Sequence, residues 1–169
     1  MATVAGRVGR GPKPWSADLF EKALGVGAAL LLVAVLAALA LAWGEWGRVP
    51  GVVWAHLVTI VAALALTPVL LFGRRGDGRH RRLGRVWVGA MIATAIVSLF
   101  VWESSGEWSS IPALSVATLA GAPWIWWTAR TRRVAQHRYA VRMTVAGALL
   151  VAGLFTFPFG RMLGRWLLG

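Results

Sequence analysis

Five long apolar runs, separated by short and mostly basic gaps, constrain this chain more than any other feature. They span Ala23 to Trp43, about Val52 to Phe72, about Leu83 to Trp102, about Ile111 to Thr128 and about Ala140 to Phe157. Each is close to the roughly 20 residues that cross about 30 Å of hydrocarbon. Backbone donors and acceptors facing lipid meet no water, so each run must satisfy them internally, as a helix. No period-two alternation competes with that reading. The expectation is an all-α integral membrane protein with five transmembrane helices. Helices two to five should form a compact bundle, with the first more peripheral.

Charge then sets the orientation. The chain carries 18 Lys and Arg against 6 Asp and Glu, a net +12. That excess alone would suit nucleic acid. However, 58% of the residues are apolar and 14% charged, against about a quarter charged in soluble domains. The basic residues are confined to the gaps, so no nucleic-acid partner is expected. Fifteen of the 18 fall on one side of a five-crossing chain, in the stretches Arg7–Lys22, Arg74–Arg85 and Arg130–Arg142. The other side holds Arg48, Arg161 and Arg165 with Glu45, Glu103 and Glu107. The positive-inside rule puts the N-terminus in the cytoplasm and the C-terminus outside, with anionic headgroups beside the basic gaps. The first run exceeds the roughly 7–15 apolar residues of a signal peptide and is read as a retained helix.

Three parts follow: residues 1–22, a basic tail with the start of the first helix; 23–158, the five-helix membrane domain; and 159–169, a short interfacial amphipathic segment. In the last, Arg161 and Arg165 stand four apart on one face. Ser16 is expected to cap the first helix. Trp43, Trp46, Trp54, Trp102, Trp108 and Trp166 form an outer aromatic belt, and Trp124, Trp126 and Trp127 an inner one beside Arg130.

Little in the sequence points to catalysis. Paired carboxylates, phosphate-binding loops and metalloprotease spacings are missing, cysteine is absent, and no run carries Asp, Glu or Lys in its middle, the usual mark of a transporter. Three histidines stand out. At 1.5 Å per residue, His56 lies roughly 24 Å from the level of His80 and His137, so one metal cannot bind all three. Helical spacing places His80, Gly84, Trp87, Met91, Thr94 and Ser98 on one stripe. His137, Ala140, Thr144, Gly147 and Val151 make a second, and His56, Thr59, Ala63 and Thr67 a third; all should face inward. One reading is haem b held by His80 and His137, with Arg85 and Arg142 on its propionates, as an electron-transfer module. The other assigns both histidines to a cationic rim that binds headgroups. His56 reads as a core residue bonded to a backbone carbonyl, or alternatively as the lone ligand of a tetrapyrrole metal.

The run His80-Arg81-Arg82-Leu83-Gly84-Arg85-Val86-Trp87 resembles the H-R-x-L-G-R-x-[YW] signature of a bacterial membrane protein family, domain of unknown function 2306. His137-Arg138-Tyr139-Ala140-Val141-Arg142-Met143 is similar to its H-R-x-x-M-x-R segment, with Met and Arg in a different order. Ala55-His56-Leu57 matches a third element. The resemblance covers about residues 52–157. It implies a multi-helix protein of the bacterial inner membrane and assigns no activity. Two functions are therefore carried forward: a haem-binding electron-transfer module, and a non-catalytic accessory subunit of a larger membrane complex.

Overall fold

The computed structural model describes residues 16–105, 111–158 and 161–168. All regular structure among them is helical. The expected tail through residue 15, Glu107 and Trp108 lie outside the described residues, as do the side chains of Trp102 and Glu103.

α1 (Leu19–Leu41) opens at Asp18, not at Ser16. Asp18 Oδ1 accepts from the Glu21 amide at 3.0 Å, and Glu21 Oε2 accepts from the Asp18 amide at 3.2 Å. This reciprocal capping box satisfies two otherwise orphaned donors, which a hydroxyl two residues upstream does not match. A 3-10 stretch (Trp43–Arg48) closes the far end, where Trp46 Nε1 donates to the Leu39 carbonyl at 3.0 Å. α2 (Gly51–Phe72) follows Pro50, and α3 (Gly78–Ser105) begins five residues earlier than the apolar run, so His80 lies in its first turn. Three helices are long and apolar enough to cross a membrane: Leu19–Leu41, Gly51–Phe72 and Gly78–Val101.

α4 (Ile111–Arg130) contains Pro123. A turn with Arg132 at φ 57° reverses the chain into α5 (Val134–Thr144). That helix passes without a break into a π-helical stretch (Val145–Val151) and one last α turn (Ala152–Leu154). α6 (Met162–Leu168) buries Leu163 and Gly164 and leaves Arg161 and Arg165 exposed.

Consecutive helices pack side by side from α1 to α5, and the π-helical stretch returns to α1 and closes the ring. α6 also packs on α1. The first helix is therefore not peripheral. It puts Leu24, Ala28, Leu31, Val35 and Ala38 into the core, beside Leu64 of α2, Met91 of α3 and Val145 and Leu149 of the π-helical stretch. A Cβ at Gly27 would stand 3.2 Å from Leu150, so the missing side chain permits this closure. Leu30, Val33, Val58, Val86 and Phe100 point outward, the reverse of a soluble surface and suited to lipid.

The inward stripes hold on α2 and α3. Thr67 Oγ1 donates to the Ala63 carbonyl at 2.7 Å and accepts from Trp87 Nε1 at 2.9 Å. Ser98 donates to the Thr94 carbonyl at 2.8 Å and lies 3.1 Å from His56 Nδ1. With its one proton committed there, the Ser98 hydroxyl accepts from His56. From 56 to 67 on α2 and from 98 to 87 on α3 the steps are equal and opposite, so the two bonds share a single antiparallel register. The third stripe departs from expectation. Val151 is half exposed, and the buried line from Ala140 runs through Val145 and Leu149. Bonding from i to i+5 widens each turn and rotates the helix face by a residue.

Candidate functional site: a carboxylate clamped by three arginines beside two histidines

At the end of the ring where α1 begins, Glu21 is buried, with 3% of its side chain exposed. Arginines from two other segments converge on it. Arg75, in the α2–α3 turn, places Nη1 on Oε1 at 3.2 Å and Nη2 on Oε2 at 2.6 Å. Arg138 of α5 sets Nε on Oε1 at 3.0 Å and Nη2 on Oε2 at 2.9 Å. Arg142, one turn later, reaches Oε1 through Nε at 3.2 Å and pairs with Asp18 through Nη2. Two forks and a third donor fill the lone pairs of one carboxylate, the geometry in which charge-assisted bonds are strongest. Asp18 and Glu21 offset two of the three positive charges.

His80 and His137 stand beside this cluster. Each occupies the first turn of its helix, and Asp77 Oδ1 accepts from the His80 backbone amide at 2.7 Å. The two imidazoles are near enough for charge on His137 to bear on His80, and the Arg75 charge bears on both. His137 Nδ1 donates to the Ile125 carbonyl of α4 at 3.2 Å, which leaves Nε2 as the free ring nitrogen. His80 Nδ1 is buried with no hydrogen-bond partner among the described residues. Burial pushes the His137 imidazole below its ordinary range and the Arg75 charge adds to this, while the bond to Ile125 opposes it.

The arginines expected beside a haem are placed otherwise. Arg142 is engaged by Asp18 and Glu21, and Arg85 is exposed, with Nε on its own helix at the Arg81 carbonyl, 3.3 Å away. A carboxylate inside the protein already answers the charge meant for a propionate. His56 lies apart on the α2–α3 seam, bonded to Ser98. At the inner tryptophans, the cation over an indole is Arg133 at 4.4 Å from the Trp127 ring, not Arg130, because the Arg132 turn swings the chain back over α4. Among the described residues no three His, Asp or Glu side chains converge as a metal-ion site; a bis-imidazole centre asks for only two.

No protein-family model, curated protein or solved structure matches the chain.

Two clefts open on the surface of the described residues. One lies between α4 and the run from α5 into the π-helical stretch, holds about 290 Å³ and is lined by Ala117, Gly121, Gly147 and Ala148, with Trp124 and Tyr139 at its edge. The other lies between the start of α1 and the end of α2. Neither is lined by His80 or His137. Glu21 is the site residue that sequence reasoning missed. An acidic residue in a first helical turn ordinarily serves the helix dipole, and its arginine partners lie 54, 117 and 121 residues away.

Proposed function

We propose that this chain is a multi-pass protein of the bacterial inner membrane, with five crossings and a cytoplasmic N-terminus, that acts as a non-catalytic subunit packing against a larger membrane complex. The observation that carries this reading is the groove between α4 and the π-helical stretch. Ala117, Gly121, Ala140, Gly147 and Ala148 make up much of its lining, beside the larger Leu114, Trp124, Tyr139 and Met143, and a Cβ at Gly147 would meet nothing within 4 Å. In lipid, helices associate where small side chains let backbones approach, so the groove suits a partner's transmembrane helix. The Glu21 cluster supports the same reading, because its arginines fasten α1 to α5 and are not left free for a substrate. The likeness to domain of unknown function 2306 over residues 52–157 belongs to this proposal.

Gly147→Leu tests it, since a Cβ at this position enters open space in the groove and the larger side chain would occupy the room a partner helix needs. Native membranes solubilised gently should carry the wild-type chain in a complex larger than itself, and the variant as the free chain. A wild-type chain that migrates alone overturns the reading. Reporters in the Gly76–Gly78 turn and after the C-terminus test the topology and should report opposite sides.

A second reading rests on the paired histidines. Haem b bound through His80 and the free Nε2 of His137 would make the chain an electron-transfer module. The buried, unpartnered His80 Nδ1 favours it, and the engagement of Arg142 by Asp18 and Glu21 weighs against it.

A further inference from the structure

The cleft between the start of α1 and the end of α2 holds about 600 Å³. Its cationic lining is Lys22, Arg74 and Arg75, its apolar wall is Phe72, and no carboxylate lines it. The three cations are not equivalent. Arg75 is held by Glu21, which fixes the turn that carries it. Lys22 and Arg74 are exposed, and no carboxylate pairs with either among the described residues. The Phe72 wall is set by a close approach, because a Cβ at Gly25 would stand 2.6 Å from Phe72 Cζ. The missing side chain at Gly25 lets that ring rest against α1. The Asp18–Glu21 capping box already takes the Asp18 and Glu21 amides, so the charge of the site comes from its side chains.

We infer that this cleft is a binding site for the phosphate of an anionic glycerophospholipid, with Lys22 and Arg74 on the phosphate and Phe72 against the glycerol and the first acyl carbons. Three observations meet here. The cleft stands where the apolar helix α1 begins and α2 ends, which the membrane reading above puts at headgroup depth. It offers two uncompensated cations, Lys22 on α1 next to the clamped Glu21 and Arg74 on the turn that the Glu21–Arg75 pair fixes from behind. It also joins that charge to an exposed aromatic ring that continues the lipid-facing surface through Val69 and Val26. A flexible ammonium and a planar guanidinium together suit a phosphodiester, which needs charge from one and paired donors from the other. Basic pockets between transmembrane helices on the cytoplasmic side favour such headgroups. The inference rests on the membrane reading above and assigns one discrete site in place of a diffuse cationic rim.

The test uses the full chain in a non-ionic detergent, titrated with dioleoylphosphatidylglycerol or dioleoylphosphatidylcholine, with bound lipids counted by native mass spectrometry. Wild-type protein should retain one phosphatidylglycerol in preference to phosphatidylcholine. Lys22→Gln with Arg74→Gln should weaken that retention about tenfold. Arg81→Gln with Arg82→Gln removes equal charge from exposed arginines outside the cleft and should leave it unchanged. Equal retention of both lipids, or equal loss in both double variants, overturns the site. Displacement of the lipid by soluble glycerol 3-phosphate at matched concentration overturns the lipid assignment in favour of a soluble phosphate. Recovery of the chain without detergent overturns the membrane reading and the site with it, an outcome distinct from lost lipid preference in a chain that needs detergent.

Discussion

Arg138 grips Glu21 across 117 residues of sequence, with Nε and Nη2 each on one carboxylate oxygen at 3.0 and 2.9 Å. This fork joins the first and fifth helices directly, at the end of the ring where a sequential bundle would otherwise stay open. A carboxylate so buried depends on its partners. Taking two charges out of water is costly, and the cost is offset only when the pairing is complete.

Glu21→Gln should therefore leave Arg75 without a carboxylate, and Arg138 and Arg142 with that of Asp18 alone, among the described residues. It should destabilise the fold by about 3 kcal/mol, near the lower end for a broken buried pair. Arg142→Gln should cost about 1 kcal/mol, since that side chain is more exposed and its charge is screened. Thermal unfolding in detergent measures both. Losses that add independently in the double variant would refute the coupled clamp, because groups sharing one carboxylate must be non-additive.

The α2–α3 seam makes a separate prediction. Thr67→Val removes the only acceptor of the buried Trp87 indole N–H among the described residues. An unsatisfied buried donor costs about 1–3 kcal/mol, whereas removing both polar partners can be almost neutral. Thr67→Val should therefore cost less in a Trp87→Phe background, where no indole N–H is left unsatisfied, than in the wild type, the loss of ring volume being common to both Trp87→Phe variants. An equal cost in the two backgrounds would show that the bond does not carry the seam.

That seam was legible in the sequence. Spacing on two neighbouring helices puts Thr67 and Trp87 on inward stripes, and a short turn forces the helices antiparallel. The clamp was not legible, because nothing local in Asp18-Leu19-Phe20-Glu21 distinguishes a charge that will be buried from one that serves a helix start. Its burial depends on the ring closing, and closure depends on the π-helical stretch rotating Val145 and Leu149 inward. Val145-Ala146-Gly147-Ala148-Leu149 carries no signal separating i+5 from i+4 bonding. Periodic stripes therefore hold on α2 and α3 and fail past Thr144. The arginines beside the histidines were visible as charge, but which carboxylate they would meet was not.

Burial holds the His137 imidazole below its ordinary value near 6.5. The folded state then binds fewer protons than the unfolded chain once the pH falls below about 6.5. Stability should accordingly decline from about pH 7 towards pH 5, with no matching loss on the alkaline side. His137→Gln keeps a donor for the Ile125 carbonyl and removes the titration, so its melting temperature should vary less across that window. An unchanged slope would place the pH dependence on other groups.

The two functional readings part at His80 and His137. Bis-imidazole ligation needs a neutral ring nitrogen from each residue within about 2 Å of iron, and ligating histidines commonly hold their tautomer through the other nitrogen. His137 meets that condition through the Ile125 carbonyl, and His80 has a buried nitrogen still to be satisfied. Opposing this, the arginine best placed to meet a propionate is held by Asp18, so bound haem would have to break that pair or use another cation. Protein expressed with ample haem supply should, if it binds, show a Soret band that His80→Ala and His137→Ala each abolish and His56→Ala preserves. Arg142→Gln should leave the band in place, because Arg142 already serves Glu21 and Asp18. A colourless wild-type protein would sink the haem reading and leave the packing subunit as the account of this chain. A band that survives both histidine variants would move the cofactor elsewhere, with His56 the remaining imidazole.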